Sequence, residues 1–242
     1  MDDETGHPLK ELALGLIEGL EQWEQEYPDL KALTAMAGHL VQALMASTFQ
    51  LPGFTASETL CLLLWQQMTK YQFQSLLQLI GKELDTGYTL LRNATELVRD
   101  IAFVHKHPEA TERWYAAKHA GRSDPMFRFD RSEPYQAYVH DLYTFACRFG
   151  THGHMTGLSS SAPAGLCGRD DVVQVRQVTG TGRDEGVVMW LLGFVPMQSV
   201  CAQVFLSRGD DAFREFFRIL SEHADLFHKV ATRLQAAAKS GS

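Results

Sequence analysis

The stretch DTGYTLLRNATELVRDIAFV, residues 85–104, closed by HKHP at 105–108, decides how this chain is read. Leu91, Val98 and Ala102 recur at helical spacing, and Leu97, Ile101 and Val104 form a second apolar set. Between them Arg92, Glu96, Arg99 and Phe103 fall at intervals of 4, 3 and 4, so three charges share one stripe of a helix. A charged stripe bounded by apolar faces is expected to be partly buried, with Glu96 held between two guanidinium groups. Such a unit orients a catalytic histidine or grips an anion. The commoner use of the same spacing is a surface salt-bridge ladder, which contributes little.

Working outward, helices are expected on both sides. Leu9, Leu12, Leu16, Leu20 and Trp23 keep helical spacing until Pro28, and a second helix covers 29–48. LPGF at 51–54 reads as a turn, and Ser57 as the N-cap of a long helix reaching Leu84. After HKHP, Pro108 opens a short helix to Ala120, the turn-rich 121–134 is a loop, and another helix runs over 135–149. Residues 150–171 show no periodicity. VVQVRQV at 172–178 and VVMWLLGFV at 187–195, joined by TGTGRDEG, read as two strands of a hairpin. Helices resume at Met197, break near Arg208 and Gly209, and continue from Asp211 to Ala237.

The expected fold is therefore mainly α: a single helical-bundle domain over 1–242 with a small β-hairpin insertion near 172–195. Within it lie an acidic N-terminal helix pair (1–56), a core (57–156) and C-terminal helices (197–237). With 45% hydrophobic and 21% charged residues, the chain has the composition of a globular protein.

The net charge of −7 is uneven: residues 1–81 hold 3 Lys/Arg against 10 Asp/Glu, and the rest of the chain is balanced. No global basic face for nucleic acid is present, which leaves only a local patch in the middle third. The start, MDDETGHP, is acidic with no apolar run behind it, so no secretory leader is expected. Cys61, Cys147, Cys167 and Cys201 form no CxxC pair and read as free thiols of a cytoplasmic protein. Residues 186–206 carry no charge over a membrane-length run, but Gly193, Pro196, Gln198, Ser199 and Gln203 dilute it and its flanks are mixed, so no membrane contact is expected.

Two histidine clusters are candidates for chemistry. Arg148, His152 and His154 stand where a helix gives way to RFGTHGHMTG, and His105 follows the charged stripe. A histidine near neutrality beside an arginine suits general acid–base work, although helix C-termini also favour these residues through the macrodipole. Neither pair has HExxH spacing or a nearby thiol, so no metal and no cofactor is expected. GTGRDEG lacks GxGxxG spacing, and GLSSSAPAG lacks a GxSxG elbow.

GYTLLRNATELVRDIAFVHKHPE together with YTFACRFGTHGH resembles a broad group of uncharacterised bacterial helical proteins. In that group a helix carries LLRxxxE, matched here by Arg92 and Glu96. A later helix ends near a histidine in a Ser/Gly turn, matched by His152 or His154. The group is distantly similar to HEPN domains, many of which are ribonucleases of toxin–antitoxin and phage-defence systems. The resemblance covers about residues 57–156. It implies a metal-independent RNase in which His154 or His105 takes the 2′-hydroxyl proton and an arginine steadies the phosphate, with two sites meeting across a homodimer. The HEPN signature, Arg then four to six residues then His, occurs four times: Arg99–His105, Arg113–His119, Arg148–His154 and Arg218–His223. About two would arise by chance from 14 Arg and 10 His in 242 residues, so the pattern discriminates little. The polar residue favoured after the arginine is present as Asp100 and replaced by Phe149 in Arg148–His154.

Three functions follow. The first is a cytoplasmic helical binding or regulatory protein assembling through helix faces, as a homodimer or with a protein partner. The alternatives are the HEPN-like ribonuclease, with RNA as substrate, and a small-ligand sensor whose 150–168 loop and hairpin close over a pocket.

Overall fold

Thr55 sets the start of the described fold. Its hydroxyl accepts from the Glu58 amide at 3.2 Å while its own amide donates to Glu58 Oε2 at 2.8 Å, a reciprocal capping box. This box, one helical turn ahead of an apolar run, opens α1 (Ala56–Ile80). The computed structural model describes residues 53–81, 83–120, 126–150, 181–206, 208–209 and 211–240, together with Glu18, Glu21, Gln25, Ala35 and Gly38, all five helical. After α1 come α2 (Leu84–Lys106), a 3-10 turn (Pro108–Ala110), α3 (Thr111–His119), α4 (Pro134–Gly150), α5 (Thr181–Leu206) and α6 (Asp211–Ser240). The N-cap is thus Thr55 rather than Ser57, and α1 stops at Ile80, capped by Gly81, rather than at Leu84.

The mainly helical class holds, and no strand occurs among the described residues. The hairpin expected near 172–195 is not there: VVMWLLGFV lies inside α5, while VVQVRQV is outside the described residues. A short apolar run has no period that separates a buried strand from a buried helix, and here burial on every side decides. From Gly186 to Leu206 Gln203 is the one exposed residue. By length and composition this segment could cross a bilayer, yet 72% of its apolar window is buried inside the protein. Its glycines permit that. A Cβ at Gly186 would meet Leu79 Cδ2 of α1 at 2.6 Å, and one at Gly193 would collide with Leu142 of α4.

Helices α1, α2, α4 and α6 all pack on α5, and α2 lies between α1 and α4. Trp65 is fully buried, stacked on Phe205 at 5.8 Å and edge-on to Phe216 at 5.6 Å, while Phe194 stacks on Phe227 at 5.1 Å. Burying each such side chain contributes about 1.5–3 kcal/mol. Inside this apolar core sits a polar knot. The Trp65 indole donates to Gln198 Oε1 at 2.7 Å, and Gln198 Nε2 donates to Thr69 Oγ1 at 3.2 Å and Gln72 Oε1 at 3.0 Å. The Trp190 indole closes on the Gln72 carbonyl at 2.6 Å.

Between α5 and α6 the chain turns at Arg208 and Gly209, the break expected there, with Gly209 at φ +74° where a side chain would be strained. Arg208 reaches back to both carboxylate oxygens of Glu58 at 3.2 Å and lies 4.5 Å over the Phe54 ring, tying this turn to the start of α1. Burial alone would raise the Glu58 pKa. The Thr55 hydrogen bonds and Arg208 outweigh it and lower it.

Two measurements check this packing. Gln198→Leu, which leaves the Trp65 indole N–H without its acceptor and Gln72 Oε1 without its donor, is expected to destabilise by about 1–3 kcal/mol in urea unfolding; a change below about 0.5 kcal/mol would mean the knot is not what fixes α5. Because the folded Glu58 pKa is depressed, its contribution is present above the unfolded carboxylate range and lost as pH falls through the folded value. Arg208→Met should therefore lose less stability than wild type over that acid range in parallel unfolding curves.

Candidate functional site

Helix α2 carries the charged stripe, and its guanidinium groups go two ways. Arg92 donates from Nε at 3.1 Å and Nη2 at 2.8 Å to a single oxygen of Glu96, with both side chains about one-quarter exposed. Against this pair stands α4: the Arg92 guanidinium is 6.0 Å from the Tyr143 ring centre. Burial, then a hydrogen bond with Cys147, raises the Tyr143 pKa. Arg92, Glu96, Tyr143 and Cys147 thus form one half-buried cluster.

Arg99 takes no part in it. It turns to its neighbour Asp100, donating from Nε at 3.0 Å and Nη2 at 2.7 Å. Asp100 is only 1% exposed; it also accepts from the Trp114 indole at 2.9 Å and has Lys118 Nζ at 3.3 Å. The carboxylate held between two cations is therefore Asp100, not Glu96. It clamps α3 onto α2, and Lys118 lies 5.5 Å over the Trp114 ring. Sequence spacing favoured Glu96 because it stands three and four residues from the arginines. Spacing along α2 does not mark Asp100, because its partners Trp114 and Lys118 come from another helix.

The histidines separate in the same way. His105 is exposed; desolvation lowers its pKa, opposed by the Glu58 carboxylate of α1. His105 and Arg99 answer to different partners and do not form an acid–base pair. Arg148 is in the last turn of α4, one residue after Cys147, while His152 and His154 lie outside the described residues, as do residues 150–171 apart from the helical Gly150. Arg113 contacts Met126 Sδ at 2.9 Å, and Arg218 is paired with Glu215 and Glu222. Among the described residues no three His, Cys, Asp or Glu side chains gather in a metal-holding group. Of the free cysteines, Cys61 and Cys201 are buried; burial pushes the Cys61 thiol up to about 12 and Cys201 well above its ordinary value, so neither supplies a thiolate.

A cavity of about 290 Å3 opens at the other end of α2, beside the 128–130 segment. Ala102, Phe103, Lys106 and His107 form one wall, Arg128, Phe129 and Asp130 a second, and Gln136 of α4 a third. Phe103 sits 4.7 Å from both the His107 and Phe127 rings. The second wall is a stapled loop. Asp130 Oδ2 accepts from Lys106 Nζ at 2.7 Å, and Oδ1 accepts from the Ser132 amide at 3.1 Å and its hydroxyl at 2.5 Å. The Asp130 amide donates to Gln136 Oε1 at 2.9 Å. The Lys106 and Ser132 bonds hold the Asp130 pKa down to about 2.

No family model matches this chain, and neither a curated protein nor a solved structure matches it.

The two carboxylates of α2 predict contrasting variants. Asp100→Ala leaves a part-buried guanidinium and an indole N–H without their acceptor and is expected to cost about 3 kcal/mol, with amide exchange over 111–119 accelerated. Glu96→Ala should cost less than about 1 kcal/mol. Urea unfolding of both, with hydrogen exchange on the first, checks the order; equal costs would overturn it.

Proposed function

We propose that this chain is a helical regulatory protein of the cytoplasm that binds a small ligand at the junction of α2, the 126–130 segment and α4. One observation carries the reading: a cavity of about 290 Å3 with aromatic walls from two elements, beside which Lys106, Asp130 and Gln136 are already joined by hydrogen bonds. In this reading binding is passed on through the helix faces to a second copy or a protein partner. Leu63 and Leu77, half-exposed on α1, are apolar groups that such a partner would cover. Helix α4 brings Gln136 to the cavity in its first turn and spans about 25 Å from Pro134 to Gly150, after which the sequence continues to His152 and His154.

A second reading, the metal-independent HEPN-like ribonuclease, keeps one specific support. The Arg92–Glu96 pair packs against Tyr143 and Cys147, directly before Arg148, so the LLRxxxE helix faces the end of the helix that leads to HGH. In that reading Arg148 and His154 would meet Arg92 at one edge of the protein, in a homodimer, in a defence or toxin setting.

Incubating purified protein with structured and single-stranded RNA in EDTA, beside folded His154→Ala and His105→Ala variants, separates the two. Regulatory binding expects intact RNA, and protection from hydrogen exchange over 102–107 and 126–136 when a small-metabolite mixture is added. Cleavage that survives EDTA and disappears in one histidine variant would establish the ribonuclease instead.

A further inference from the structure

We infer that the α2–α4 cavity takes an uncharged, flat aromatic ligand carrying a carbonyl or ring-nitrogen acceptor, with its ring against Phe103 and Phe129 and its acceptor on the Gln136 amide. The inference rests on the cavity being the ligand site and adds the ligand's chemistry.

Charge argues for a neutral ligand, because every ion at the cavity is already engaged. Lys106 Nζ donates to Asp130 Oδ2 at 2.7 Å. Glu133, whose amide donates to the Asp130 carbonyl at 3.0 Å, adds a second negative charge beside the same lysine. Asp130 Oδ1 is taken by the Ser132 amide and hydroxyl. His107 Nδ1 stands 3.3 Å from the Glu109 carboxylate, and Arg128 holds a contact of its own. Lys106 and Arg128 thus share the cavity and its rim with Asp130, Glu133 and Glu109. A ligand of either sign would give up hydration and meet like charge before it could displace a partner from the opposite one. An uncharged ligand avoids both costs.

Hydrogen bonding argues for an acceptor. The Asp130 amide can only donate, and it meets the Gln136 side chain at 2.9 Å, so the oxygen of that side chain is spent there. The amide orientation is thereby fixed, with its NH2 on the other side. Gln136 lines the cavity, and its NH2 has no partner among the described residues. Such a group calls for a carbonyl or a ring nitrogen and gains nothing from a second donor.

Shape argues for a flat ring. Phe103 and Phe129 line the cavity from separate elements, and other rings brace them. Phe103 lies 4.7 Å from the His107 and Phe127 rings, and Phe129 is edge-on to His140 at 5.7 Å. Aromatic walls favour a flat ring in offset or edge contact over a puckered aliphatic one. A cavity of about 290 Å3 admits one or two rings.

The test is calorimetric titration of the full chain with benzamide, benzoate, benzamidinium and cyclohexanecarboxamide. The first three share one shape and differ in charge; the fourth keeps the amide and loses the flat ring. Each is taken to about 10 mM, because a probe of about nine heavy atoms binds only weakly. Hydrogen exchange over 102–107 and 126–136 locates the binding. Benzamide is expected to bind at least about tenfold more tightly than each of the other three. Gln136→Glu keeps an oxygen for the Asp130 amide and removes the NH2, and should weaken benzamide by at least about fivefold; circular dichroism checks its fold. Phe129→Leu should narrow the gap between benzamide and cyclohexanecarboxamide. Benzoate or benzamidinium binding as tightly as benzamide, with the same segments protected, overturns the neutral ligand but leaves the ligand site standing. Benzamide binding unchanged in Gln136→Glu overturns the acceptor, and cyclohexanecarboxamide binding as tightly as benzamide overturns the flat ring. No protection of these segments by any of the four probes overturns the inference and the ligand site together.

Discussion

Helix α5 has no face that water can share, and it carries an amide in its middle. Almost every residue from Gly186 to Leu206 is covered, so four helices must surround it before Gln198 can be buried at all. Once buried, Gln198 needs partners, because an unsatisfied amide in this setting costs about as much as several good packing contacts gain. Trp65, Thr69 and Gln72 supply them from one face of α1. A slide of one helical turn, about 5.4 Å, would break all three bonds together. The apolar surface drives the assembly and is indifferent to register; the polar knot chooses the register.

The rest of the architecture follows from that register. With α1 and α5 aligned, Gly186 comes against Leu79 and Tyr88, and Gly193 against Leu142, so α4 approaches α5 at the one place without a side chain in the way. Helix α2 is then held between α1 and α4, and both ends of its charged edge are defined. One end faces Tyr143 and Cys147. The other opens into the cavity beneath Phe129. The Asp100 clamp fixes α3 across the same helix, and a nearly buried carboxylate is tolerable there only because Arg99, Trp114 and Lys118 all turn to it.

The helices whose apolar residues repeat on one side, α2 and α6, were legible in the sequence, and so was the break at Arg208 and Gly209. Helix α5 was not, because a segment buried all round has no period, and Val187, Val188, Phe194 and Val195 are residues that strands also favour. The site was half legible. The Arg92–Glu96 pair follows from spacing, but spacing gives neighbours on a helix and not the direction in which a long guanidinium turns. Arg99 chose Asp100 because Trp114 and Lys118, brought from another helix, completed a buried set there. The cavity left no mark of its own: Phe103 and Phe129 are 26 positions apart in the chain, and only folding the 126–133 loop back onto α2 brings them to one space.

The parts of this molecule differ in how firmly they are held, and that difference decides where a ligand would be felt. The Gln198 amide and the Asp100 carboxylate are both covered from solvent, so losing one partner strands another. The Lys106–Asp130 contact that pins the cavity wall is largely exposed, so water and salt compete with it and it contributes little. The energy a small ligand releases is of the order needed to rearrange that wall and far short of what would move α5 against α1. In the proposed reading the first response to occupancy therefore falls on residues 126–133 and the first turn of α4, and the core helices reach a partner as rigid units, without sliding past one another.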